Sequence, residues 1–298
     1  MESVIYHYSI PRRPLQERDT DAANIFRRNG RKISLVLPEK TVYNILKHQE
    51  KECIMASWNL WHGCTKISPG CLNCYVYRRD AEFGKDASEV AKTGSFNLPV
   101  RRKRDGSYAL QPDGDFVYTC FTSDFFHPDA DGWRPEAWHM MRERSDLQFF
   151  FVTKRPDRFY VGLPEDWGNG YGNVHICCTC ENQQMADERL PVFLELPIRH
   201  KHIIHEPMLE GINTEAYLSY YGNVIESVSC GGESGEGARV CDYDWILWMR
   251  EQCMRYNVNF SFRQTGANFR KDGKTYAIPR ALQSKQAAKA DINFRKKE

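Results

Sequence analysis

The 298-residue sequence lacks both a long hydrophobic run and a strong imbalance of charge. No segment approaches the roughly 18 consecutive apolar residues that a membrane-spanning helix requires. The first residues also lack the apolar core of a secretory signal peptide. We therefore expect a cytoplasmic protein with no membrane association. The 41 basic and 39 acidic residues leave a net charge of +2, which does not favour a nucleic-acid partner. The basic run at residues 101–104 is the one local exception, and a solvated loop explains it more simply.

The sequence also lacks an obvious set of four clustered metal ligands, although it contains 11 cysteines. Disulfides are not expected in a reducing compartment, so each cysteine is either a small buried side chain or a metal ligand. Eight cysteines fit the first role: Cys53, Cys120, Cys177, Cys178, Cys180, Cys230, Cys241 and Cys253. Cys178 and Cys180 share one face of a predicted strand, so a second metal site there is the less favoured alternative.

The other three cysteines lie close together in the segment GCTKISPGCLNCY. Cys64, Cys71 and Cys74 have six and then two residues between them, and soft thiolates select zinc, copper(I) or iron–sulfur clusters. A structural zinc site needs a fourth ligand, such as His62 or a more distant histidine. A [4Fe-4S] cluster held by three cysteines instead leaves one iron open for a small molecule. The spacing favours the cluster over zinc, with no metal as the third alternative. Tyr75 follows the third cysteine and is expected to shield the cluster from solvent.

Seven short runs of β-branched, aromatic or apolar residues alternate with amphipathic helical patterns over most of the chain. This alternation predicts βα units and a parallel sheet. About seven units in roughly 240 residues favour a complete or partial (β/α) TIM-type barrel of six to seven parallel strands over a doubly wound sheet. We divide the chain into an N-terminal extension (1–54), the barrel (55–280) and a basic C-terminal tail (281–298). The predicted strands are residues 56–58, 116–121, 148–153, 174–179, 201–205, 227–231 and 258–263.

Polar residues or glycines follow every predicted strand, where a barrel of this kind carries its chemistry. A ring of salt bridges closing the end of the barrel is the alternative explanation for the charged residues, and tight turns for the glycines. The residues at the strand ends are Ser123, Asp124, Lys154, Arg155, Glu181, Glu206, Gly231, Gly232, Glu233 and Arg263.

The segment WNLWHGCTKISPGCLNCY resembles the corresponding motif of a phage-associated family of radical-SAM-like proteins with a three-cysteine motif. The likeness continues in order through YTCFTSDFFH, FFFVTKRPDRF, CENQQMADERLP, HEPMLEGI, CGGESGEGARVCDYDWI and FSFRQTGANFRKDGKTY. It covers roughly residues 55–290 of this chain. The activity of that family is not established.

The resemblance implies a radical SAM-type partial barrel that binds a [4Fe-4S] cluster through Cys64, Cys71 and Cys74. Such an enzyme cleaves S-adenosylmethionine to methionine and a 5′-deoxyadenosyl radical, which abstracts a hydrogen atom from a substrate. An external one-electron reductant is then required. The substrate is unknown. Members of the family are often encoded beside a three-Cys-motif partner protein, so a protein partner is a second expectation.

The resemblance also suggests how S-adenosylmethionine is held. Ser123 and Asp124 stand where the best-known radical SAM enzymes carry a Gly-Gly-Glu motif for the amino group. Gly231 and Gly232 would let a ligand approach the backbone. The other candidates are Glu206 and Glu233 for the ribose hydroxyls or the ammonium, Lys154, Arg155 and Arg263 for the carboxylate or a substrate phosphate, and Glu181 to complete the cofactor-binding set.

A different class of function remains open. The chain is alternatively a metal-stabilised, non-catalytic module of phage origin that binds nucleic acid or protein, with residues 101–104 and surface tyrosines as its contact surface. No recognised nucleic-acid-binding motif supports this alternative. A cluster-bearing enzyme that modifies or repairs nucleic acid would combine the two hypotheses.

Overall fold

The computed structural model describes residues 26–28, 31–33, 56–112 and 114–297. The chain divides into two compact units, Met1–Ile54 and Met55–Glu298. Within the first unit, strands Phe26–Arg28 and Arg31–Ile33 pair antiparallel. Cys53, expected to be a small buried side chain, lies outside the described residues.

The core of the second unit is a seven-stranded parallel sheet whose strands lie in chain order. Each neighbouring pair in the sheet is parallel. The predicted α/β class with six to seven parallel strands is thereby confirmed. The strands, named in chain order β1 to β7, are Ser57–Trp58, Val117–Thr119, Phe149–Thr153, Val174–Thr179, His200–His205, Ile225–Gly231 and Asn259–Gln264.

The order of the strands distinguishes this sheet from a doubly wound one, in which the order reverses at a switch point. Among the described residues, β1 and β7 do not pair with each other, so the sheet is open. The free edge of β7 is instead covered by Phe294, which exchanges two backbone hydrogen bonds with Phe260, of 2.8 and 3.0 Å. The segment expected to be a basic tail, 281–298, therefore contributes a helix and this bridge to the fold.

The two faces of the sheet differ in character because successive side chains of a strand point to opposite sides. On one face, Phe149 and Phe151 are fully buried, and Phe151 stacks on Phe125 with ring centroids 4.3 Å apart. The opposite face encloses a cavity of about 120 Å³. We call it the inner face, and its cavity is lined by Phe116, Tyr118, Phe150, Cys177, His202, Ser227, Ser229, Ser261 and Arg263. Small serines on the last two strands keep that space open.

Six α-helices connect or flank the strands of this sheet. Each connection between consecutive strands contains one of these helices, except the connection from β3 to β4. That connection carries a short 3₁₀ helix, Pro156–Arg158. Asn182 and Asp242 cap two of the helices by accepting backbone N–H bonds, as expected for these residue types. The helices, named α1 to α6, are Tyr75–Glu82, Arg134–Glu143, Gln183–Glu195, Glu215–Tyr221, Tyr243–Arg255 and Arg280–Ala290. None of the described helices is long and apolar enough to cross a membrane.

Two small sheets and two further 3₁₀ helices lie outside the main sheet. Strands Trp61–His62 and Ala91–Lys92 pair antiparallel, beside the cysteine segment. A three-stranded sheet follows β6 and consists of Val240–Asp242, Asn268–Lys271 and Lys274–Ala277. The 3₁₀ helices are Pro69–Cys71 and Pro128–Ala130.

Candidate functional site

The three cysteines lie on one loop, which leaves β1 and ends where α1 begins. Cys64, Cys71 and Cys74 are all half-buried, and none is in a disulfide. Cys74 is the N-cap residue of α1. The loop starts at Gly63, whose φ is +93° and where a Cβ would lie 2.1 Å from the carbonyl oxygen of Glu89. Glycine is therefore required there, both for the backbone conformation and for the space.

The first cysteine is held from the ends of β2 and β3. Arg155 donates to the carbonyl and hydroxyl oxygens of Thr65, at 2.9 and 3.0 Å, and its Nη1 lies 3.7 Å from Cys64 Sγ. The Asp124 carboxylate lies 3.1 Å from the same guanidinium and accepts bonds from the backbone N–H of Lys154 and the Thr153 hydroxyl, both at 2.8 Å. Asp124 is buried, and these bonds hold its carboxylate in place beside the guanidinium. Asp124 therefore orients Arg155.

The middle of the loop is held by Glu181 at the end of β4. The Gly70 N–H, one residue before the second cysteine, donates to Glu181 Oε1 at 2.9 Å. Arg189 of α3 pairs with the other carboxylate oxygen at 2.8 Å. Glu181 is fully buried. Burial opposes its charge, but Lys154 and Arg189 overcome that effect and lower the pKa of Glu181 below its ordinary value.

The last part of the loop is held by Glu233, just after β6. Asn73 donates through Nδ2 to Glu233 Oε2 and to the Gly237 carbonyl, both at 2.9 Å. Arg239 pairs with the same carboxylate and donates its backbone N–H to it at 2.9 Å. Burial would raise the pKa of Glu233, yet the bonds from Arg239 and Asn73 lower it. Glu233 thus fixes Asn73, the residue directly before the third cysteine.

Ser123 and Tyr75 also bond to backbone rather than facing an open space. The Ser123 hydroxyl donates to the Gly63 carbonyl, and the Tyr75 hydroxyl donates to the carbonyl of Phe121. Ser123 therefore ties the end of β2 to the start of the cysteine loop. Tyr75 does the same for the first turn of α1.

A second group of predicted residues lies at the carboxyl ends of β3, β5, β6 and β7. Glu206 accepts a bond from Gln264 through Oε1, and its Oε2 lies 3.9 Å from Arg263 Nε. Among the described residues, Glu206 Oε2 is buried without a hydrogen-bond donor. The Lys154 ammonium takes part in none of the ion pairs within the described ranges, whereas its neighbour Arg155 does. Lys154, Glu206 and Arg263 all act electrostatically on the Cys177 thiol, and Lys154 also acts on Glu181.

The two glycines after β6 have different surroundings. A Cβ at Gly231 would lie 2.9 Å from Glu206 Cδ, so this glycine gives the carboxylate its space. A Cβ at Gly232 would lie 2.3 Å from the Thr265 carbonyl oxygen. Gly232 is therefore required for the close approach of two backbone segments.

The separation of the sulfur atoms bears on what the loop can bind. The three cysteine sulfurs do not all lie within 4.8 Å of one another. Among the described residues, one other group of three His, Cys, Asp or Glu side chains has its ligand atoms within that distance. A tetrahedral zinc ion with Zn–S bonds of 2.3 Å would bring its sulfurs to about 3.8 Å. His62, one candidate for the fourth ligand in the zinc alternative, has its Nε2 2.6 Å from Asp80 Oδ2. Burial raises the pKa of the Cys64 thiol to about 11.

The remaining described cysteines are buried, as expected for small apolar side chains. Cys178 and Cys180 place their sulfurs 4.0 Å apart, but no third ligand joins them in the described part of the chain. The basic residues 101–104 are all exposed on a turn in which Arg102 stacks on Tyr108.

The sequence analysis did not identify a second group of metal-ligand side chains, formed by His175, His202 and Glu226 at the opposite, amino-terminal end of the sheet. The ligand atoms of these three residues all lie within 4.8 Å of one another. Burial and a neighbouring histidine lower the pKa of His175 to about 4, and the same causes lower that of His202 to about 3. The alternation His200–Lys201–His202 in the fifth strand was the available signal, because it places two imidazoles on one face. Reasoning from the letters also missed Asn73 and Arg189, which no motif marks.

The family comparison covers the whole site. A family model described as a protein of unknown function (DUF5131) matches residues 49–293. No curated protein and no solved structure matches the chain. The family match spans the three cysteines, every residue that anchors their loop and all seven strands, so the chain belongs to the DUF5131 family of proteins of unknown function.

Proposed function

We propose that this protein is a radical SAM-type enzyme whose parallel sheet forms a partial (β/α) barrel. Cys64, Cys71 and Cys74 would hold a [4Fe-4S] cluster at the carboxyl end of the sheet. One observation carries the proposal: three half-buried thiols share a loop that charged residues fix from the ends of four different strands. A loop fixed in this way holds its ligands ready before any ion binds.

The choice of a cluster over zinc is supported by the geometry of the ligands. At least one pair of the three sulfurs lies more than 4.8 Å apart, which is wider than the spacing around a single zinc ion. In a cluster each sulfur binds a different iron, so wider spacing suits it. Arg155, 3.7 Å from Cys64, would offset the negative charge of the bound thiolate.

Lys154, Glu206 and Arg263 fit the polar groups of S-adenosylmethionine. Lys154 and Arg263 supply positive charge for its carboxylate, and Glu206 offers a buried carboxylate oxygen for its ammonium or ribose hydroxyls. A cluster held by Cys64, Cys71 and Cys74 would supply, when reduced, the electron for reductive cleavage of S-adenosylmethionine, and so the means to remove a hydrogen atom from the substrate. The protein itself positions these molecules and excludes water.

The inner face of the sheet is the proposed site for the substrate. Seven consecutive parallel strands with a cavity of about 120 Å³ on one face fit a partial barrel open at one seam. Tyr118 and Phe150 make one wall of this cavity apolar, and Ser229, Ser261 and Arg263 make the other polar. A substrate with an apolar part and a hydrogen-bonding or anionic part would suit both walls.

The experiment is anaerobic purification followed by measurement of iron, sulfide and 5′-deoxyadenosine. We expect a brown protein with about four iron and four sulfide atoms per chain, which forms 5′-deoxyadenosine from S-adenosylmethionine and dithionite. Cys71→Ala should lose the colour and the product. The matched control Cys253→Ala removes a buried sulfur from α5 and should keep both.

Other outcomes decide against the proposal. A colourless protein that retains only zinc after anaerobic purification contradicts the cluster. A cluster that forms no 5′-deoxyadenosine contradicts the radical reaction alone. Binding of nucleic acid that survives Cys71→Ala and falls steeply with salt would favour the non-catalytic alternative.

A further inference from the structure

A second cluster of ligand-type side chains lies at the amino ends of β4, β5 and β6, away from the cysteine loop. His175 lies on β4 and His202 on the neighbouring β5. The strand partner of His202 is Cys177, two residues after His175, so both imidazoles lie on the same face of the sheet. Glu226 comes from β6, at a position where the register with β5 shifts between Ile225 and Ser227. Such a bulge adds one unpaired residue and redirects its side chain. The Glu226 carboxylate therefore reaches the two imidazoles.

The separations of the three ligand atoms match those around a single metal ion. His175 Nδ1 lies 3.1 Å from His202 Nε2, and Glu226 Oε2 lies 3.4 Å from His202 Nε2 and 3.8 Å from His175 Nδ1. Ligand atoms bound at 2.0–2.1 Å in a tetrahedron are about 3.3 Å apart. The three observed distances lie on either side of that value.

Hydrogen bonds behind the three groups orient them for such a role. His175 Nε2 is 3.1 Å from Gln148 Oε1, which can only accept, so the proton lies on Nε2 and the Nδ1 lone pair faces the cluster. His202 Nδ1 is 2.8 Å from the Ser227 hydroxyl, which leaves Nε2 for the same point. His200 bonds the other oxygen of Glu226. Metal-bound histidines and carboxylates are held in this way by polar groups behind them.

We propose that His175 Nδ1, His202 Nε2 and Glu226 Oε2 bind a divalent transition-metal ion such as Zn²⁺, with one coordination position open to the inner cavity. Two imidazoles and one carboxylate are ligands that such ions favour. His202 and Ser227 both line the cavity, so a water molecule or small ligand on the ion would lie inside it. Three protein ligands and an open position are typical of a metal that takes part in chemistry. The site does not depend on the proposed cluster.

The first test uses the full chain with Cys64, Cys71 and Cys74 replaced by alanine, so that thiolates do not compete for the ion. Calorimetric titration with Zn²⁺ should give one ion per chain. Adding Glu226→Gln should weaken binding at least tenfold, because it replaces a charged ligand with a neutral amide. Adding His139→Gln, an exposed histidine of α2, should leave binding unchanged. Circular dichroism checks that each variant is folded.

The second test uses the chain with its cysteines intact and Co²⁺ as a visible probe. Cobalt bound to thiolates gives an intense near-ultraviolet band, whereas cobalt bound to nitrogen and oxygen gives weak visible bands alone. His202→Gln should lose the weak visible bands of this site and leave any near-ultraviolet thiolate band unchanged. The proposal is overturned if the alanine variant binds no zinc, if His139→Gln weakens binding as much as Glu226→Gln, or if His202→Gln leaves the cobalt spectrum unchanged.

Discussion

Replacing Asp124 with asparagine changes one charge at the centre of the contacts that orient Arg155. The carboxylate accepts bonds from the backbone N–H groups of Phe126 and Lys154, at 2.9 and 2.8 Å, and from the Thr153 hydroxyl. Asparagine has a similar shape but turns a donating amino group toward one of these donors. It also leaves the buried Arg155 cation without its counter-ion.

The size of the effect follows from the burial of both partners. Removing one member of a buried ion pair costs about 3–5 kcal/mol, because the remaining charge stays out of water. Total stabilities of folded domains are about 5–15 kcal/mol. Asp124→Asn is therefore expected to lower the urea midpoint by about 1–1.7 M, for a slope near 3 kcal/mol per M. Tryptophan fluorescence reports the transition.

Two further variants isolate the ion pair. Asp157→Asn removes an exposed carboxylate two residues from Arg155 and should change the midpoint by less than about 0.2 M, as surface substitutions usually do. The double variant Asp124→Asn/Arg155→Gln should be less destabilised than the sum of its single variants, because they share one interaction. A loss below about 1 kcal/mol for Asp124→Asn, or strict additivity in the double variant, would refute this reasoning.

Three other perturbations test the anchoring of the loop and the buried histidines. Glu181→Gln should weaken the hold on Gly70 and lower the iron content after anaerobic purification, measured per chain. Gly63→Ala should destabilise the fold by several kcal/mol in urea, because the added Cβ meets a backbone oxygen at 2.1 Å. Stability in EDTA should be constant from pH 6.5 to about pH 8, below the range in which the buried cysteines titrate in the unfolded chain, and fall as the pH approaches 4. Burial lowers the pKa of His202 to about 3 and that of His205 to about 4, so below pH 6.5 only the unfolded chain gains these protons, costing roughly 3 kcal/mol each at pH 4.

Matched controls accompany these three predictions. Glu188→Gln removes an exposed carboxylate from the same helix as Arg189 and should leave the iron content unchanged. Gly84 also has a positive φ, of +62°, but a Cβ added there would have no atom within 4 Å among the described residues. Gly84→Ala should therefore lower the free energy of unfolding much less than Gly63→Ala does. An iron content that falls equally in both glutamine variants, or a stability that is flat from pH 7 to pH 4, would contradict the respective explanation.

The positions of the strands and of the cysteine loop could be predicted from the sequence. Continuous apolar runs such as VHICCT and KHIIH, alternating with amphipathic helices, predicted the parallel sheet, and the structure has it. The roles of the polar residues at the strand ends were harder to predict. Asp124, Glu181 and Glu233 were expected to contact the cofactor, whereas each one holds the cysteine loop in the structure. Both roles require an acid at a strand end, so the residue type does not distinguish them.

The alternating histidines of β5 marked part of the candidate metal site at the other end of the sheet, but its full set of ligands could not be predicted, for a related reason. His175, His202 and Glu226 belong to three strands, and their meeting depends on the register of those strands and on the bulge at Glu226. A shift of one residue would turn either histidine to the opposite face. No spacing along the chain encodes that register.

The sequence by itself determined the parallel α/β class and the grouping of Cys64, Cys71 and Cys74, because hydrophobic periodicity and ligand spacing are local properties of the chain. Only the tertiary structure decided that the sheet is open, which acids hold the loop and which histidines converge. Those outcomes depend on contacts between residues far apart in the chain, such as Gly70 with Glu181, where burial and neighbouring charge act together.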